Sequence, residues 1–118
     1  MPEDTRSYRI VVIRGDGIGP EIVDASLEVL AALQERLEYL NLSYEYVEGG
    51  AGIWLREGVN LEPGGLDKIR AADAAMKGPV GLPTARFKDG TEAGVLGGVL
   101  RNGLDTYANV RPVNLLPG

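Results

Sequence analysis

The sequence contains no cysteine and no histidine. Without cysteine there is no disulfide framework and no thiolate metal site. Without histidine there is no imidazole to act as general base, and no nucleophile–histidine pair. Aromatic residues are scarce: one tryptophan, one phenylalanine and five tyrosines in 118 residues. Trp54 therefore reads as a packing residue rather than a ligand platform. No apolar run approaches membrane-spanning length, and the opening stretch MPEDTRSYRI is charged where a secretory signal would be apolar. Basic residues are outnumbered, 12 Lys and Arg against 17 Asp and Glu, for a net charge of −5. They form no cluster able to track a phosphate backbone. These absences lead to an expectation of a cytoplasmic, reducing compartment, with neither nucleic acid nor membrane as partner.

What is present alternates between strand and helix patterns. Tyr8 to Ile13 (YRIVVI) is a short β-branched run of the kind that forms a buried strand. It ends in Gly15-Asp16-Gly17-Ile18-Gly19-Pro20-Glu21, where Gly19 suits an N-cap and Pro20 the first helical position. A helix is expected from there to about Glu38, with Val23, Leu27, Leu30, Leu33 and Leu37 as its core stripe. Ser43 to Val47 reads as a second strand, Ala51 to Glu57 as a short helix stopped by Gly58, and Leu66 to Ala71 as another. Ala74 to Met76 is a third, alanine-weakened strand. Residues 77–92, rich in Gly and Pro, are expected to be an exposed loop, with Thr84 to Thr91 short of apolar anchors. A helix over Ala93 to Asn102 and a strand over Thr106 to Val113 complete the pattern. The fold class is therefore α/β, part of a parallel-stranded sheet with flanking helices. Three or four strands are few for a sheet covered on both faces, which points to a piece of a larger architecture.

Several short motifs compete for attention. GDGIGP between a strand and a helix imitates a dinucleotide-binding fingerprint, but the third glycine of G-x-G-x-x-G would fall on Pro20. Glu48, at the end of the second strand, could stand for the ribose-binding acid, so a Rossmann-like reading stays open, as does a purely structural turn. Asp16 is expected to fix that turn by accepting local N–H groups. Arg14-Gly15-Asp16 and Asn41-Leu42-Ser43 spell an adhesion tripeptide and a glycosylation acceptor, and neither has the secretory context it needs.

Four segments in order resemble the isocitrate and isopropylmalate dehydrogenase family, including its tartrate dehydrogenase members. They are Gly15 to Glu21, then Glu48-Gly49-Gly50-Ala51, then Ala72-Asp73-Ala74 leading to Lys77-Gly78-Pro79-Val80-Gly81, and finally Arg101 with Asn109-Val110-Arg111-Pro112. The resemblance implies the first segment of the isopropylmalate dehydrogenase-like fold. It also implies oxidation and decarboxylation of a malate-like 2-hydroxy acid, with NAD or NADP as hydride acceptor and Mg or Mn as the divalent metal. On that likeness Arg101 and Arg111 are the substrate-binding residues, since a guanidinium fork matches a carboxylate in bidentate fashion. Ile18, Gly78, Pro79, Val80 and Gly81 correspond to the nicotinamide side of the cofactor site. Arg101 and Arg111 are expected to face one cleft near residues 78–81.

The departures from the family pattern are informative. Isocitrate-specific relatives carry a serine and an asparagine in the helix before Arg101, and isopropylmalate-specific ones paired leucines; here stand Gly97 and Gly98. Tartrate, malate and other small hydroxy acids stay open. The family's catalytic tyrosine and lysine and its metal-binding aspartates have no counterpart, so no catalytic residue and no metal ligand is assigned within the chain. Residues 1–118 are accordingly expected to form the N-terminal segment of a nucleotide-dependent dehydrogenase domain, ending near the crossover to a second domain and inactive alone. The remainder of the dehydrogenase, or a second copy of the chain, would be its partner. A non-catalytic Rossmann-like nucleotide-binding module and a pseudo-subunit of a complete dehydrogenase are the alternatives.

Overall fold

A computed structural model describes residues 5–118 of the chain. The elements run β1 (Arg6–Ile13), α1 (Gly19–Arg36), β2 (Leu40–Tyr46), α2 (Ala51–Glu57), α3 (Gly65–Ala71), β3 (Ala74–Lys77) and α4 (Gly97–Gly103). The three strands form one parallel sheet in the order β2-β1-β3. Ile10 stands opposite Tyr44 on one side and Ala74 on the other. The most β-branched segment of the chain thus occupies the one position hydrogen-bonded along both edges. Its end, Val11-Val12-Ile13, is fully buried. Burying each such side chain stabilises by roughly 1.5–3 kcal/mol.

Alternation along β1 feeds two layers. Val11 and Ile13 join Val47, Ile69 of α3 and Leu96 in the main core, with Leu61, Val80 and Leu100 packed around it. On the other face Leu42 and Tyr44 of β2 meet Ala31 and Gln34 of α1 across a shallow hollow. Gln34 also accepts the Leu42 amide at 2.8 Å, satisfying a donor on the outer edge of β2. At the start of β3, Asp73 closes a reciprocal pair with Arg9: its side chain accepts the Arg9 amide at 2.7 Å, and its own amide donates to the Arg9 carbonyl at 2.9 Å.

The sequence patterns located these elements, and the structure corrects several boundaries and two larger expectations. Ile18 occupies the cap position of α1, so Gly19 is the first helical residue and Pro20 follows it. Of the α1 stripe only Val23 is fully buried, and Leu33 remains 44% exposed. One helix face covers more area than a three-stranded sheet offers. The expected helix from Ala93 is confined to α4 because Gly94 adopts φ +73°, outside the helical region.

The expected strand over Thr106 to Val113 does not form. Those residues run exposed and outside any ladder, because β-propensity without a ladder partner makes no strand, and neither outer sheet edge takes them. Residues 84–92 are less bare than their composition implied. Ala85 is buried, Arg86 bridges antiparallel to Glu92, and the Ala93 amide donates to the Ala85 carbonyl at 3.0 Å. Phe87 adds an edge-to-face contact with Trp54 at 5.3 Å between ring centroids.

Candidate functional site

Parallel α/β sheets present ligands at the carboxyl ends of their strands, beside the place where connections leave in opposite directions. Here that place lies between β1 and β3, since β2 flanks β1 on the other side. Two loops meet there, the turn from β1 into α1 and the segment 78–81 after β3. The Asp16 amide donates to the Pro79 carbonyl at 2.9 Å, and the Gly78 amide to the Ile13 carbonyl at 2.8 Å. The approach is close enough to dictate glycine. Gly15 has φ +77°, and a Cβ on it would overlap the Pro79 carbonyl oxygen; a Cβ on Gly19 would stand 2.7 Å from the same oxygen. Close packing of helix start against neighbouring backbone therefore falls to Gly19, one position before the glycine a dinucleotide fingerprint would require.

This junction brings Ile18 and Gly78 to Gly81 to one end of the sheet. Ile18 is 64% exposed, Pro79 is exposed, and Val80 and Gly81 are half-buried. The rim so formed is apolar with free surface. Its amides are largely spoken for: Gly78 donates to Ile13, Gly81 donates to Asp16, and proline has none.

Asp16 reaches much further than the local turn expected of it. One carboxylate oxygen accepts the amides of Ala51 at 2.6 Å and Gly81 at 2.9 Å, and the other accepts Gly52 at 2.8 Å. Gly50, at φ +122°, leaves room for this, since a Cβ there would overlap the carboxylate. The motifs Gly15 to Glu21 and Glu48 to Ala51 are thus one structural unit. Sequence reading missed the link because a carboxylate's partners 35 and 65 residues away leave no local signature.

Beside it, a cleft of about 240 Å³ opens between the ends of β1 and β2, lined by Arg14, Tyr46, Glu48 and Glu62 among others. Each charge in it already has a partner. Arg14 pairs with Asp24, Glu48 with Arg56 at 2.8 Å, and Glu62 with Lys68 at 2.8 Å. Glu62 also accepts the Glu48 amide at 2.8 Å, and its own amide returns to the Glu48 carbonyl at 2.9 Å. That backbone donor first, and Lys68 second, hold the Glu62 carboxyl below the usual carboxylate range. The network fixes the loop after β2 rather than offering a base.

The two arginines occupy different settings. Arg101 is exposed on α4, with its guanidinium lying back over the first helical turn. A Cβ on Gly97 would stand 3.1 Å from it, so the glycine leaves that position open. Arg101 lines a hollow of about 470 Å³ with Asn102, Asp105, Thr106 and Asn109. Asp105, at φ +51°, is the left-handed residue in the turn after α4. Arg111, two residues beyond Asn109, is exposed and does not line this hollow. No hydrogen bond among the described residues joins it to Arg101 or to residues 78–81. Among the described residues no group of three or more His, Cys, Asp or Glu is placed to hold a metal ion. No helix among them is long and apolar enough to cross a membrane.

A family model described as isocitrate/isopropylmalate dehydrogenase matches residues 9–118. The chain belongs to that family. A probable tartrate dehydrogenase/decarboxylase of Agrobacterium vitis is 39% identical over 116 residues, covering 96% of this chain and 31% of the relative. A 3-isopropylmalate dehydrogenase of Anaeromyxobacter dehalogenans is 41% identical over 112 residues, 92% of this chain and 31% of that protein. Among solved structures, the apo form of a β-decarboxylating dehydrogenase from Thermococcus kodakarensis aligns with a TM-score of 0.64 at 34% identity. It covers 83% of this chain and 27% of that one. The chain therefore spans about 31% of the length of these curated relatives. The α/β parallel architecture read from strand and helix patterns is the architecture of this isocitrate/isopropylmalate dehydrogenase family member, and the resemblance carried by its four motifs is upheld.

Proposed function

We propose that this chain contributes the N-terminal segment of a nucleotide-dependent, β-decarboxylating dehydrogenase domain acting on a malate-like 2-hydroxy acid. Ile18, Gly78, Pro79, Val80 and Gly81 form the nicotinamide-side rim for NAD or NADP, and Arg101 and Arg111 bind the substrate carboxylates. The observation that carries the reading is the meeting of the β1–α1 turn with the 78–81 loop at the carboxyl end of a parallel sheet, in a chain of this family. A nicotinamide held at this rim would supply the hydride-accepting chemistry. The chain's own part is to seat it against an apolar rim that excludes water, and to orient the substrate through guanidinium forks.

The remaining steps lie outside this chain's inventory. Proton removal from the hydroxyl needs a base, and loss of carbon dioxide needs an electron sink, in this family a divalent metal. On this reading the ligands of Mg or Mn and the proton-transfer groups come from elsewhere in the complete site, and the isolated chain does not turn over. The outer edge of β3 and the exposed Val110, Val113, Leu115 and Leu116 favour association, with the rest of a dehydrogenase or with a second copy.

The test is to titrate the purified chain with NAD⁺ and NADP⁺ while following backbone amide resonances, and to assay nucleotide reduction with malate, tartrate, isocitrate and isopropylmalate plus Mg²⁺ or Mn²⁺. Shifts centred on Ile18 and residues 78–81 without turnover are expected. Metal-dependent turnover by the chain alone would defeat the inactivity, and shifts confined to other loops would defeat the rim. In a complete enzyme, Arg111→Ala should lower turnover by orders of magnitude.

A further inference from the structure

We propose that Asp16 is a positioning residue that registers the 78–81 loop against the segment leading to Arg101, with the start of α2 as the intermediary. Its carboxylate accepts the amide of Gly81 on one side and those of Ala51 and Gly52 on the other, all between 2.6 and 2.9 Å. Charge-assisted bonds of this length are the strong class, and a carboxylate with three such donors has little freedom to reorient. Ala51 is fully buried and is itself the seat for the next segment. Gly94 lies so close that a Cβ on it would overlap the Ala51 Cα, and its φ of +73° sends the chain on toward α4. Two residues later Leu96 is fully buried in the main core, and Asn60 holds the Val95 carbonyl at 2.8 Å. Arg101 follows on α4.

A continuous mechanical path therefore runs from Gly81 through Asp16 and Ala51 to Gly94 and α4. Glycine at positions 50 and 94 gives this path its tightness, because any side chain there would push the carboxylate or the α2 backbone away. Asp16 touches neither nucleotide nor substrate in this scheme. It sets how far the nicotinamide-side loop stands from the helix that bears an arginine of the carboxylate clamp. The functional consequence rests on the cofactor reading of residues 78–81; the coupling itself does not.

The experiment compares the full 118-residue chain with Asp16→Asn and Asp16→Ala by residue-resolved amide hydrogen exchange. Exchange at Ala51, Gly52 and Gly81 should quicken by about tenfold or more in both variants, as loss of a charged acceptor implies. Residues 93–96 should quicken with them, while Val11 and Val12 of β1 hold their protection. A uniform rise across the sheet, or an unchanged Gly81, would overturn the proposal. Should Asp16→Ala fail to fold, the isosteric Asp16→Asn decides alone. A second arm adds NAD⁺ to the wild-type chain and to Asp16→Asn. Shifts beginning at residues 78–81 are expected to spread to Gly94 and Arg101 only in the wild type, and equal spread in the variant would overturn the coupling. If NAD⁺ moves nothing at residues 78–81 of the wild type, the cofactor reading falls, and the exchange data still decide the role of Asp16.

Discussion

The two ends of the family resemblance fare very differently as structure. Gly15 to Glu21, Glu48 to Ala51 and residues 77–81 are woven together by backbone hydrogen bonds, one shared carboxylate and glycines pressed against carbonyls. Asn109 to Pro112, equally recognisable as sequence, is exposed and unpaired. A motif whose partners lie within the chain takes on its geometry from the chain. A motif that makes no such bonds among the described residues takes no fixed geometry from them. Arg101 sits between these cases, anchored by α4 yet with an open guanidinium.

This contrast can be broken most violently at the junction. Gly15→Val forces a β-branched side chain into a left-handed backbone and onto the Pro79 carbonyl, and should cost about 4 kcal/mol, enough to unfold the chain. Denaturant melts that overlay wild type would refute the close packing. Leu96→Ala comes next. It empties part of the core between Ile13 and Ile69 and should cost about 3 kcal/mol, read from the same melts.

Glu62→Gln is smaller and carries a pH signature. The Glu62 carboxyl is depressed below its ordinary value, by the Glu48 amide first and Lys68 second, so its contribution is fully present above the ordinary carboxylate range. It is lost as pH falls through the depressed folded value. At neutral pH the variant should be less stable by about 1–2 kcal/mol, and the gap should narrow on acidification below the ordinary carboxylate range and close below the depressed folded value. A gap that persists in acid would assign the effect to packing instead.

Phe87→Ala should cost about 1 kcal/mol and shift the emission of Trp54, the only tryptophan, because the edge-to-face pair is removed. Unchanged fluorescence would mean the 84–92 loop is not seated on α2 in solution. The smallest effect belongs to the other end. Val113→Ser and Leu115→Ser, at positions about nine-tenths exposed or more, should alter the stability of the chain by less than about 0.5 kcal/mol. A larger loss would show that this stretch packs somewhere after all.

How far the sequence could be read follows from the range of each interaction. Val11-Val12-Ile13 announced a buried strand because β-branching and apolar density are local properties, and Gly58 announced the end of α2 for the same reason. The family resemblance and parallel architecture were likewise legible, since motif order and strand–helix alternation are linear features. The strand expected over Thr106 to Val113 failed because pairing requires a free partner edge in register, which no residue in that segment encodes. Asp16 was legible as a turn residue and illegible as the link between Gly81 and Ala51. What the sequence determined alone was composition, the type of most elements and kinship. Tertiary structure decided which carboxylate joins which loops, which glycine faces a carbonyl and which arginine finds a hollow, because those depend on distances between residues tens of positions apart that only the packed sheet brings to hydrogen-bonding range.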